Sequence, residues 1–210
     1  MTNRWLLGPA LLVMSPMLVG PASGSGRVTE ADLLNCVGQG SAGPREQVEI
    51  CTRIIKSGKV KAGNEGALLA YRAAAHLALG NTKLALADLD KAISSKDSSE
   101  FRFQRALVHM ARGTTDLALT DLDSVTRSRP DFAPAYFMRG VLAFKQGDYK
   151  QATTEFDGAV TRLPTYYQAI YARGVARNRM GDTASGEADL ATARGMSAHV
   201  EADLARMGIR

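Results

Sequence analysis

Cys36 and Cys51 are the only cysteines in the chain, and their thiols are the most reactive groups it carries. Such a pair can form a bridge, ligate a metal or exchange disulfides. Metal binding and oxidoreductase chemistry favour CxxC spacing or further ligands close by, and neither is present around these two positions. The segment ahead of them bears on the remaining choice. Residues 1–24 carry one charge, Arg4, then an apolar stretch from Trp5 to Val19 and small residues at Gly20, Ala22, Ser23 and Gly24, the pattern of a cleaved export signal. An uncleaved anchor is the rival reading. It needs about 20 apolar residues, and Pro9 and Pro16 suit a lone membrane helix poorly. No cysteine lies in the segment to carry a lipid. In an exported protein an even cysteine count predicts a disulfide from Cys36 to Cys51, and closing a loop of about 15 residues stabilises by roughly 3 kcal/mol.

The other candidates for chemistry are histidines and recurring ion pairs. His76 and His109 are well separated in the sequence, and if they occupy equivalent positions on packed helices they stand about 8–10 Å apart, too far to share one ion. They read as core or boundary histidines, and no metal or cofactor is expected. His199 stands alone. No GxSxG, GxxxxGK[ST] or HExxH occurs, which removes the common hydrolase, P-loop and zinc-protease signatures. Arg72, Arg105, Arg139 and Arg173 each precede an acid at one constant interval: Asp88, Asp121, Glu155 and Asp189. A pairing that recurs in every copy of a unit serves the scaffold, as a ladder of charge-assisted hydrogen bonds.

These pairs ride on a repeat. Gly80, Gly113, Gly147 and Gly181 recur at a nearly constant interval, Ala85, Ala118, Ala152 and Gly186 follow each by five, and Leu89, Leu122, Phe156 and Leu190 keep the spacing. The clearest copy runs APAYFMRGVLAFKQGDYKQATTEFDGAVTRLP from Ala133 to Pro164 and resembles a tetratricopeptide repeat, a helical hairpin of about 34 residues. In that family a small residue, here Gly140, lets two antiparallel helices approach, with Ala152 opposite. Tyr136 and Phe156 fill the seam, Gly147-Asp148 makes the turn, and Pro164 closes the second helix. The resemblance implies an all-α fold, a right-handed α-solenoid of about four such hairpins over residues 66–198.

The flanks read as caps. A short helix within Val28–Val37 and a longer one within Arg45–Gly58, apolar at Val48, Cys51, Ile54 and Ile55, predict an amino-terminal cap over residues 25–65 held by the disulfide; terminal repeats are commonly atypical. The arrangement resembles secreted bacterial tetratricopeptide repeat proteins. Val200, Leu204 and Met207 at i, i+4 and i+7 predict an amphipathic capping helix over 199–210, with Glu201, Asp203 and Arg206 turned away.

Family members usually bind partners in a concave groove lined by positions five, nine and twelve of each first helix. The resemblance places there Ala70, Ala74 and Leu77; Phe103, Leu107 and Met110; Phe137, Val141 and Phe144; then Tyr171, Val175 and Asn178, with Lys145 and Arg179 adding positive charge at one end. The lysine and asparagine with which chaperone-type members hold a terminal carboxylate are absent. An apolar groove with a basic end suits a peptide or protein segment with aromatic or aliphatic anchors. Alternatively these residues pack between repeats, or the capping helix or another copy of the chain fills the groove.

Composition agrees with a folded helical repeat: 45% hydrophobic, 22% charged and 6% aromatic. The net charge of +5 is spread among acids without a basic run, so no nucleic-acid partner is expected. The expectation is a non-enzymatic interaction module in the periplasm or secreted, not inserted in a membrane once its signal is removed, with self-association as the alternative.

Overall fold

A computed structural model describes residues 28–58 and 63–210. The expected export signal, residues 1–24, lies outside them. The described residues form helices and no strand: α1 (Glu30–Cys36), α2 (Pro44–Lys56), α3 (Glu65–Ala78), α4 (Thr82–Ser95), α5 (Ser99–Arg112), α6 (Thr115–Ser128), α7 (Ala133–Lys145), α8 (Tyr149–Arg162), α9 (Tyr167–Arg179), α10 (Thr183–Met196) and α11 (Val200–Arg206). The chain divides into two compact units, one ending at Thr114 and the other running from Thr115 to Arg210.

Local chemistry sets the helix ends. Thr29 and Asp32 form a capping box on α1, Ser98, Asp148 and Asp182 accept from the first turns of α5, α8 and α10, and Pro44 and Pro134 stand where a helix start needs no amide donor. First helices end in one way. Gly147 takes φ 80°, which an L side chain adopts at a cost, and the Asp148 amide reaches back to the Ala143 carbonyl, a Schellman turn. The same bond closes the helices ahead of Gly80, Gly113 and Gly181.

In the amino-terminal unit, α1 and α2 cover one side of α3. Cys36, Ile50, Cys51, Ile54, Ala67, Leu68 and Tyr71 are buried together, and Cys36 and Cys51 are disulfide-bonded with their Cα atoms 5.0 Å apart. Ile50 takes the buried place expected of Val48, which is only half-buried. Arg53 pairs with Asp32, joining the two helices outside the bridge. The α3–α4 hairpin continues into α5.

In the carboxy-terminal unit, the α7–α8 and α9–α10 hairpins pack over small residues. A Cβ on Gly140 would stand 2.5 Å from Phe156, so the ring fills the space that glycine leaves. Tyr136 lies over Gly158 in the same seam, and Arg162 stacks on it at 3.7 Å. At Gly174 and Gly186 the two helices approach still closer: a Cβ on either would come within 2.9 Å of the other's carbonyl oxygen.

Candidate functional site

The arginine ladder is built much as its spacing predicts. Arg72 grips Asp88 through Nε and Nη2 at 2.8 and 2.6 Å, and Arg173 grips Asp189 at the same two distances; Arg139 reaches Glu155 at 2.8 Å. Each arginine also reaches back to the preceding helix: Arg72 to Thr52, Arg105 to Asp90, Arg139 to Asp123 and Arg173 to Asp157. The hydrogen bond to Asp189 holds the Arg173 guanidinium above its ordinary range, and Asp88 does the same for Arg72. Glu155 differs. Burial pushes its carboxyl up, with Arg139 pulling it back down. Arg72, Arg139 and Arg173 are spent on their expected acids, as a structural element requires.

His76 and His109 are buried. His109 Nδ1 lies 2.9 Å from the Thr114 hydroxyl, while His76 Nδ1 has no hydrogen-bond partner. Burial lowers the His76 pKa, against Asp88 and with Arg72. No group of three or more potential metal ligands occurs among the described residues.

The expected groove residues fall in both units. On α5, Phe103 and Met110 are half-buried, whereas Leu107 is 2% exposed. Leu107 lines a cavity of about 10 Å³ with Ala74, Leu77 and Gln104, room for one water at most. Gln104 Oε1 is buried without a partner.

In the carboxy-terminal unit the expectation of an open apolar strip is corrected. Phe137 is 2% exposed, with its ring centroid 5.7 Å from Phe156 and 5.1 Å from Tyr166. Tyr166 precedes α9 and folds onto Phe137, so this ring belongs to the core. Val141 and Phe144 are also buried, Phe144 edge-on to Tyr149 at 5.2 Å. Lys145 and Arg179 are exposed at the helix ends.

What lies along this face is the chain's own carboxy-terminal segment. The short helix α11 packs chiefly on α9 and less on α10, with Val200, Leu204 and Ile209 fully buried. Glu201 accepts from the Tyr171 hydroxyl at 3.1 Å and from Arg194 at 2.9 Å; the Arg194 contact does most to lower its carboxyl's pKa. Beyond the helix, Arg179 Nη2 donates to the main-chain oxygen of Arg210 at 2.6 Å, and a Cβ on Gly208 would lie 3.8 Å from Lys145 Cε. The segment therefore runs from α10 across α9 toward the end of α7, touching Tyr171 and Arg179 of the expected groove and passing near Lys145. Two details differ from expectation: Ile209 takes the third buried place in preference to half-buried Met207, and Asp203 is buried. The glycine-then-aliphatic ending carries the signal for Ile209. Gly208 is at φ 85° and the Ile209 amide bonds to Leu204, a Schellman turn that folds the next side chain back onto the helix.

Residues 103–167 match the family described as tetratricopeptide repeat. That stretch of the chain carries the tetratricopeptide repeat. Solved structures of such proteins share the fold. MamA, residues 41 to the end, from Desulfovibrio magneticus RS-1 is 18% identical with a TM-score of 0.64, over 80% of this chain and 96% of that one. YrrB, described as a tetratricopeptide repeat protein with an unusual peptide-binding site, is 15% identical with a TM-score of 0.60, over 84% and 88%. The carboxy-terminal part of a repeat-containing protein from Cytophaga hutchinsonii is 15% identical with a TM-score of 0.65, over 82% and 66%. At such identities the likeness concerns the fold alone. No curated protein matches the sequence. No helix among the described residues is long and apolar enough to cross a membrane.

Proposed function

We propose that the chain is a non-enzymatic protein-interaction scaffold, exported to the periplasm, that holds a peptide or protein segment against the first helices of its hairpins. Tetratricopeptide repeat proteins generally bind protein partners, and YrrB has an unusual peptide-binding site. The observation that carries the reading is α11, a short amphipathic helix seated on α9 with three apolar side chains buried. A face that accepts one such segment has the chemistry to accept another. In this reading residues 1–24 are a signal, 25–65 a disulfide-held cap, 66–198 four repeats and 199–210 a capping helix. The disulfide supports export, since such bridges persist in oxidising compartments.

The test places a photo-cross-linking side chain at Phe103 or Met110, half-buried on α5, with exposed Lys83 on α4 as control. A single protein adduct in the native envelope from the α5 positions and none from Lys83 is the expected result. Equal or absent labelling refutes the reading and favours the second one, a structural subunit whose groove is filled by its own helix. Mass spectrometry of the mature chain tests export, with a first residue expected between positions 22 and 28.

A further inference from the structure

The contacts of α11 describe a binding surface as well as a cap. The helix has seven residues and no side-chain cap at its start, too short to be stable by itself. Its hold consists of Val200, Leu204 and Ile209 and polar ties from Tyr171, Arg194 and Arg179. The Arg194–Glu201 pair is half in solvent, with side chains 48% and 59% exposed, and such pairs add little. The link from α10 is brief, an extended Ser197 followed by a turn, so release of α11 requires no rearrangement of the hairpin behind it.

We propose that the α9 face, with the end of α7, is a docking surface for a short amphipathic helix of a partner protein, and that α11 with its following tail is the intramolecular competitor that occupies it. This rests on the scaffold reading above. The partner's chemistry follows from what α11 and its tail present: an aliphatic residue, a carboxylate directly after it to meet Tyr171 and Arg194, a second aliphatic four positions on from the first, and a glycine-aliphatic ending that brings a main-chain oxygen to Arg179. Acidic character beside the anchors suits the basic side chains Lys145, Arg179 and Arg194. Because the competitor is tethered, its effective concentration is high and a partner meets only the fraction of molecules in which α11 is released.

The probe is a fluorescein-labelled peptide of residues 197–210 titrated against the full chain, read by anisotropy. Weak binding is expected for the parent and at least about tenfold tighter binding for Leu204→Ala, because the open fraction rises and apparent Kd falls in proportion. Adding Arg179→Glu should remove the gain. Equal affinity of parent and Leu204→Ala overturns the proposal, as does a gain that survives Arg179→Glu. Concentration-dependent dimerisation of Leu204→Ala, with no peptide bound, also overturns it by making a second copy the occupant. Hydrogen exchange of the unmodified chain supplies a readout independent of the variant's folding: amides of Val200–Ile209 should exchange at least about tenfold faster than those of Ala172–Ala176, and equal protection refutes release. Failure on these counts leaves the scaffold reading intact as long as the α5 cross-links persist, since those lie in the other unit.

Discussion

Truncating Phe137 to alanine removes a ring that is 2% exposed and lies within ring-contact distance of both Phe156 and Tyr166. Deleting a packed phenylalanine costs about 3–5 kcal/mol. Each aromatic contact is worth about 0.5–1.5 kcal/mol beyond its buried area, so losing two places this substitution in the upper half of that range. For a chain of this size, about 4 kcal/mol corresponds to a fall in melting temperature of roughly 8–16 °C. Thermal unfolding followed by circular dichroism, with the disulfide intact, reads the change directly. Phe156→Ala, at 0% exposure, should match it, whereas Phe103→Ala, half-buried on α5, should lose only about 1–2 kcal/mol. A Phe137→Ala loss below about 1 kcal/mol beside a large Phe156→Ala loss refutes the assignment of Phe137 to the core.

Thiol titration of denatured protein should find no free thiol before reduction and two after it; reduction should lower the stability of the α1–α2 cap by about 3 kcal/mol, seen as faster hydrogen exchange in those helices. Gly186→Ala places a Cβ 1.9 Å from Asn178 Oδ1 and 2.9 Å from the Gly174 carbonyl oxygen, so a loss of about 1–3 kcal/mol is expected in urea unfolding, and an unchanged midpoint contradicts the packing described. The His76 pKa is lowered from its ordinary value of 6.5 by burial, so its contribution is complete above that value and is lost as pH falls through the lowered folded-state pKa. Melting temperature should therefore drop as pH falls below about 6.5, and His76→Leu should flatten that drop; an identical pH profile in the variant counts against the assignment.

The phase of the hairpins was legible because the turn glycines, the small residues five positions later and the arginine–acid pairs all keep one period, and each has a local physical cause that tertiary context leaves untouched. The bridge was legible from cysteine count and position. The exposure of Phe137 was not. Helix phase reveals which face a residue occupies, but burial of that face depends on Tyr166, a residue between two helices that no periodic pattern describes. The same limit hid the path of the tail: Val200 and Leu204 announce an amphipathic helix, while its seat beside Tyr171 and Arg179 depends on the direction in which the chain leaves α10.

The backward arms of Arg139 and Arg173 make the joints ahead of α7 and α9 chemically alike. Arg139 follows Asp123 at the same interval along the chain at which Arg173 follows Asp157; excising residues 133–166 whole would set Arg173 at that interval after Asp123. A cut of half a hairpin would present the guanidinium to the wrong helix. The length of such a chain is thus quantised: whole hairpins can be duplicated or lost in a single genetic event with each new joint already wired, whereas insertions of a few residues inside a hairpin break the circuit at once.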